Sequence, residues 1–253
     1  MDPAEYEKMY SLEDSYWWFQ GRKSVVARML SLLPKRAERG LALDLGCGTG
    51  LMLEHLKREW RTVGLDFSPL ALKFTSRRGI RRLIRGDAQS LPFRDDCFDL
   101  ITTLDLMEHV PGDDLLLAEA RRILKPGGTL FITAPAHPFL WSEHDDALYH
   151  CRRYRKEELR ERVLTAGFEM ERLTYCISFT FPAIAAFRFL QNLRKRRSRP
   201  KTHLIVLPRW ANRLLLASVL FEAFLLKYAD LPFGVTLLAR AKKKELALEG
   251  TKM

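Results

Sequence analysis

Leu41-Ala-Leu-Asp-Leu-Gly-Cys-Gly-Thr-Gly50 constrains this chain more than any other stretch. An apolar run leads into Asp44, and Gly46, Gly48 and Gly50 follow at every second position. The apolar residues read as a buried strand. The glycines read as a tight turn whose backbone must approach a ligand closely, where side chains would stand in the way. Leu51-Met-Leu-Glu-His-Leu-Lys-Arg58 then carries helical periodicity. Strand, glycine turn and helix form the opening unit of a nucleotide-binding α/β sheet.

Spacing sharpens this. Asp66 closes a second apolar strand, 20 residues after Gly46. An acid at that distance can accept hydrogen bonds from the two ribose hydroxyls of an adenosine-containing cofactor. The dinucleotide pattern G-x-G-x-x-G/A is not met, because Leu51 holds its sixth position and the third glycine comes one residue early. The form here is D-x-G-x-G-x-G, with Asp44 two residues before the first glycine.

That form resembles motif I of class I S-adenosylmethionine (SAM) dependent methyltransferases, and three further segments resemble that family in its order. They are Gly86-Asp87-Ala88 with Leu91-Pro92-Phe93, Phe98 to Val110, and Arg122 to Gly128. The chain is similar to the UbiE-like, type 11 group. The resemblance implies a Rossmann-like, doubly wound α/β fold with a seven-stranded sheet mixed at its β6–β7 edge. It implies SAM as cofactor and S-adenosyl-L-homocysteine as product. Residue by residue, it implies that Asp44 fixes the loop near the methionyl end. Gly46, Gly48 and Gly50 would let the loop pass under the carboxypropyl group and ribose, with Cys47 as small filler. Asp66 would hold the ribose hydroxyls, and Phe67 would lie against the adenine. Asp87 would accept from its amino group, the Ala88 backbone would meet the ring, and Leu104 would offer its carbonyl to the methionyl ammonium.

The elements agree with that order. Strands are expected at 41–45, 61–66, 82–86, 98–104 and 128–134, and helices at about 51–59, 69–78 and 113–124. Ser68-Pro69 is a helix start with serine as cap and proline in the first turn. Alternating strands and helices with short loops imply a parallel sheet with right-handed crossovers. Ligands of such sheets sit at the carboxyl ends of the strands, where Gly46, Asp66, Asp87 and Asp105 fall. Four domains of activity along the chain follow: an N-terminal helical lid over 1–40, the SAM-binding core over 41–178, a helical insertion over 179–233, and a last strand with a basic tail over 234–253.

Residues 4–33 read as one helix containing Tyr16-Trp17-Trp18-Phe19. By resemblance, Trp17, Trp18, Phe19 and Arg22 would cover SAM and substrate; the alternative is that the rings simply pack the helix on the sheet. The segment 135–155 holds three of the six histidines, His137, His144 and His150, with Trp141, Asp145, Arg152, Arg153 and Tyr154. It leaves the end of strand five, where the family forms its acceptor site. Arginines suit a carboxylate or phosphate, and a histidine can remove a proton. The plain alternative is a solvated loop. These three histidines stand ahead of His109 as candidate bases, since Glu108-His109-Val110 recurs in the group across unlike substrates. No metal site is expected: His144 and His150 are not a helical i, i+4 pair, and there is no H-E-x-x-H.

Charge is uneven. Residues 1–175 hold 27 Lys+Arg and 27 Asp+Glu, so the whole net charge of +11 sits in the last third. There, two apolar runs, 173–187 and 213–227, flank Arg194 to Lys201, which is basic at six of eight positions. Glu222 is the one acid inside the second run. The runs are too short to span a bilayer, but could lie in the interface of an anionic membrane surface. A helical hairpin packed on the core is the second reading. RNA binding is the third, and the run lacks interleaved aromatics. Cys47, Cys97, Cys151 and Cys176 form no C-x-x-C pair, which fits a reducing compartment. The expectation is a cytoplasmic enzyme, peripheral on the inner face of the membrane if the insertion meets lipid. Its acceptor would be a small molecule or a lipid-linked compound. An RNA methyltransferase and a non-catalytic SAM-binding module are the rivals.

Overall fold

A computed structural model describes residues 3–34, 38–192 and 207–244. Strands β1 (Leu41–Leu45), β2 (Arg61–Asp66), β3 (Leu83–Arg85), β4 (Phe98–Leu104), β5 (Leu124–Pro135), β6 (Phe168–Cys176) and β7 (Thr236–Lys243) form one sheet of order β3-β2-β1-β4-β5-β7-β6. The first five are parallel, and β7 runs antiparallel to both β5 and β6. The expected seven-stranded, doubly wound sheet is therefore present, with its mixed edge where the resemblance implied it.

Alternate strand residues face opposite sides. Leu43, Leu45, Ile101, Leu130 and Ile132 pack with Leu116, Leu117, Ala120 and Ile123 of α5 (Asp113–Ile123). Ala42, Leu100, Phe131 and Leu238 face the other way, toward Val25, Val26 and Met29 of α2 (Trp17–Leu30). Helices α3 (Leu51–Leu56) and α4 (Pro69–Arg77) follow β1 and β2, and the Ser68 hydroxyl caps α4 by accepting from the Ala71 N–H. Between β5 and β6 lie the short α6 (Glu143–Ala147) and α7 (Lys156–Thr165).

Four expectations need correction. The single helix over 4–33 is two, α1 (Pro3–Leu12) and α2, because the chain turns at Glu13. That carboxylate is buried, accepting from Thr49 Oγ1 at 2.5 Å and pairing with Arg78 at 2.7 Å. Strand β5 begins at Leu124 rather than 128, carrying Lys125-Pro-Gly-Gly128 as an irregularity against β4. Strand β3 covers only 83–85, and β7 starts two residues later than expected and continues to 243.

The insertion holds α8 (Phe181–Asn192) and α9 (Arg209–Leu225). Helix α9 packs on α2: Val219 fills the space above Gly21, where an added Cβ would lie 2.8 Å from Val219 Cγ1. Asn212 accepts from the Trp17 N–H at 2.9 Å. Glu222 is fully buried and accepts from the N–H groups of Ile177, Ser178 (2.6 Å) and Phe179 (3.4 Å). The lone acid thus anchors α9 to the end of β6. The basic run 194–201 lies outside the described residues. Among the described residues no helix is long and apolar enough to cross a membrane.

Candidate active site

One cleft, of about 850 Å³, opens at the carboxyl ends of β1, β2, β4 and β5. Its first half is built by the glycine turn. Gly46 and Cys47 donate to the Leu65 carbonyl at 2.8 and 3.0 Å, tying the turn to the end of β2. Gly46 and Gly48 take φ of +68° and +55°, which side-chain-bearing residues rarely adopt. A Cβ on Gly46 would also lie 2.8 Å from Leu106 Cδ1. Gly48 and Ser68 donate to the two Asp66 oxygens at 2.9 and 2.8 Å, so this carboxylate is aimed by both loops. Asp44 is buried beside it and accepts from Thr102 Oγ1 at 2.6 Å; burial pushes its pKa up to about 7. Burial also pushes the Cys47 thiol up, so it remains protonated and makes a poor nucleophile.

Asp44, Gly46, Cys47, Gly48, Asp66, Phe67, Asp87, Ala88 and Leu104 all line this half. Gly50 does not; it starts α3 in a left-handed conformation, with Thr75 Cγ2 2.7 Å from where its Cβ would be. Phe67 is 69% exposed, so its ring is available to a planar ligand. Paired acids, an open glycine backbone and an exposed ring are the donor set that an adenosine-bearing cofactor with a cationic end requires. The residues present fit SAM.

Glu5, Tyr6 and Met9 of α1, with Trp18, Phe19 and Arg22 of α2, roof the cleft. Arg22 pairs with Asp105 and donates to Thr133 Oγ1 at 3.2 Å. Trp17 is not part of the roof. It is buried against Val219 of α9 and stands edge-on to Trp18, with ring centroids 5.5 Å apart. Adjacent residues on a helix point about 100° apart, so the aromatic run divides between roof and core.

The second half centres on Asp145, which is fully buried. It accepts from Arg153 Nε at 2.8 Å, Arg188 Nη1 at 3.0 Å and the Ser142 N–H at 2.9 Å, and lies 3.0 Å from His150 Nδ1. Burial opposes its ionisation, but the His150 hydrogen bond and the two arginines outweigh this and hold it well below the usual carboxylate range. Asp145 itself stands behind the wall. The groups it orients, His150, Arg153 and Arg188, line the cleft with His144, Glu108 and His109. Burial depresses His144 to about 3 and His109 to about 4, so both are neutral near pH 7. Burial raises Glu108 to about 7.

Besides Asp145, four expected acceptor-site residues stand outside the cleft. Tyr154 is buried and donates to Asp113 at 2.8 Å. Arg152 also turns to Asp113, at 3.0 Å. Trp141 Nε1 donates to Asp146 at 2.8 Å. His137, at φ +61°, stacks on Tyr175 with centroids 5.1 Å apart and borders a separate surface hollow. Along 135–155 the chain passes from the cleft wall into the core, so proximity in sequence does not put every polar residue on one face.

Sequence reasoning missed Arg188, Glu108 and the α1 contribution. Arg188 had a signal: it is the first charge after a 15-residue uncharged run, a position where a cation needs a buried partner.

Residues 43–132 match the type 11 family model described as "Methyltransferase domain". The chain is 33% identical over 148 residues to a demethylmenaquinone methyltransferase of Geobacillus stearothermophilus, covering 54% of this chain and 61% of that protein. It is 26% identical over 157 residues to a ubiquinone biosynthesis O-methyltransferase of Pasteurella multocida, covering 53% and 64%. The chain spans about three fifths of the length of these relatives. A SAM-dependent methyltransferase of Thermotoga maritima shares the fold, with a TM-score of 0.58 at 20% identity, over 95% of this chain and 96% of that one. The matched segment runs from the strand before the glycine turn to the strand that leads into the acceptor wall, so residues 43–132 are similar to the methyltransferase domain of the type 11 family and hold the whole glycine-turn half of the cleft.

Proposed function

We propose that this protein transfers the methyl group of SAM to a small-molecule acceptor. The observation that carries the reading is the union of two chemically distinct halves in one cleft. The acid-and-glycine cradle suits the cofactor, and the polar wall of His144, His150, Arg153 and Arg188 suits an acceptor. When bound, SAM supplies a methyl group already activated by its sulfonium. The protein's part is then to align the acceptor and exclude water. Asp44 and Asp66 would hold the cofactor's amino-acid end and ribose. Trp18, Phe19 and Met9 would keep water off the reacting atoms. His144 and His150 face the acceptor, and His150, oriented by Asp145 at 3.0 Å, is the candidate to take a proton from a hydroxyl. A SAM-binding module without chemistry would have no use for a polar wall oriented by a buried carboxylate.

The relatives' quinone acceptors favour a ring-bearing, apolar acceptor for this chain as well. The exposed face of α9 supports delivery at an anionic membrane surface. Trp210, Leu214, Ala217, Phe221, Phe224 and Tyr228 recur at helical spacing on its open side, opposite Val219, Ala223 and Leu226 on the packed side. Arg209, Arg213 and Lys227 flank that open stripe. Helix α8, which carries Ile184 and Arg188 into the cleft, joins this surface to the acceptor wall.

The test is purified protein with isotopically methyl-labelled SAM, offered demethylated quinones, lipid extract and soluble metabolite extract in parallel. Label should enter a lipid-soluble product. Asp66→Ala should weaken SAM binding by about 1.5–3 kcal/mol, the range for hydrogen bonds to a charged group, and remove labelling. SAM binding with no labelled product from any source would overturn the catalytic reading.

A further inference from the structure

Glu108 and His109 are adjacent and His150 comes from a distant segment, yet each of the three presents one ligand atom within 4.8 Å of the other two. All three border the cleft. Glu108 is the middle residue of the turn Met107–His109 after β4 and is 1% exposed, and its Oε2 accepts no hydrogen bond from any described residue. Leaving a carboxylate oxygen buried and unpartnered is costly, so such an atom calls for a ligand.

The two imidazoles are already held as ligands are held. His150 Nδ1 lies 3.0 Å from Asp145, which leaves Nε2 without that partner and available to a ligand. The carbonyls of Tyr149 and Leu148 lie against the ring of His109, which fixes one of its nitrogens and leaves the other. A carboxylate or a backbone carbonyl behind each histidine is the arrangement that orients metal ligands and raises their basicity. The rings meet edge to face, 84° apart with centroids at 4.7 Å, so both free nitrogens can converge on one point. Two imidazole nitrogens and one carboxylate oxygen form a donor set for a borderline divalent ion such as zinc or cobalt, with bonds near 2.0–2.2 Å. Arg22 and Arg153 face Glu108 and oppose a cation there, while Asp105 pairs with Arg22 and Asp145 with Arg153.

We propose that Glu108, His109 and His150 form a divalent-cation site on the acceptor side of the cleft. Its open position would take an oxygen of the acceptor, which makes a hydroxyl- or carbonyl-bearing compound the favoured acceptor class. An ion there would take over from His150 the task of making a hydroxyl nucleophilic. The site rests on no feature of the cofactor half.

The experiment is titration of chelator-treated full chain with Co²⁺, read by its visible absorption and by calorimetry, then displacement with Zn²⁺. One ion per chain should bind, with the intense absorption of a four- or five-coordinate site. Glu108→Gln and His150→Gln should each abolish that absorption or weaken binding at least tenfold. Asp145→Asn, which removes the group orienting His150, should weaken it by about 10–100-fold. Each variant is checked for SAM binding, which a folded chain retains. If Glu108→Gln does not fold, His150→Gln and His109→Gln decide the matter. No stoichiometric uptake by the wild-type chain overturns the proposal, as does uptake that folded variants leave unchanged. Because ion binding is read without turnover, its failure leaves the methyl-transfer reading standing, and the labelling experiment tests that reading separately.

Discussion

At the scale of the residue, burial sets the chemistry of the cleft more than charge pairing does. Glu108 is raised from 4.5 to about 7 chiefly by burial. The folded chain therefore keeps a proton that the unfolded chain has lost, and Glu108 makes stability fall as pH rises from 4.5 to 7. His109 and His144 act in the opposite sense. Their folded values, about 4 and about 3, lie below the ordinary 6.5, so the unfolded chain takes up protons first. Their contribution is complete above pH 6.5 and is lost as pH falls. Glu108→Gln should thus leave stability nearly unchanged at pH 4.5. At pH 8 the metal-free variant should be more stable than wild type by on the order of 2–3 kcal/mol. Urea unfolding of both proteins at the two pH values reads this, and a difference independent of pH would contradict it. The spacing of Asp44, the glycines and Asp66 made the cofactor half legible from sequence, because those residues belong to one continuous β-turn-α-β unit. Glu108 was legible only as part of a turn, since its burial depends on segments more than 30 residues away.

At the scale of the element, the informative case is α9. Its apolar sequence fits a packed helix and an interfacial helix equally well, and the structure shows one face packed and the other open. What sequence alone could not give is the role of Glu222. One acid in an apolar run reads as a break in the pattern, but here it gathers three N–H groups at the end of β6. Glu222→Ala would leave those donors buried without an acceptor and should cost about 3 kcal/mol. Glu222→Gln, which keeps one acceptor oxygen, should cost less. Denaturant unfolding distinguishes the two, and a loss below about 0.5 kcal/mol for the alanine variant would mean that the contact is incidental. The break between α1 and α2 escaped sequence reasoning for a similar reason. Glu13 looks like any surface acid until Thr49 and Arg78 are placed beside it.

At the scale of the whole molecule, all of the net charge lies in the last third, as does the open apolar stripe of α9. Co-sedimentation should show binding to vesicles rich in anionic lipid, weaker binding to neutral vesicles, and loss as salt is raised. Trp210→Ser with Phe221→Ser and Phe224→Ser should reduce binding at least tenfold while SAM binding stays intact. Equal binding by this variant would remove α9 from the membrane reading. The strand order has a consequence during synthesis. Among the described residues, β6 pairs with the sheet through β7 alone, and β7 follows it by about 60 residues. At ribosomal rates of about 5–20 residues per second, β6 waits several seconds for the strand that joins it to the sheet. Throughout that interval the nascent chain exposes one long edge of β5 and both edges of β6, so the polypeptide is most open to mispairing and to chaperone capture just before its final strand emerges.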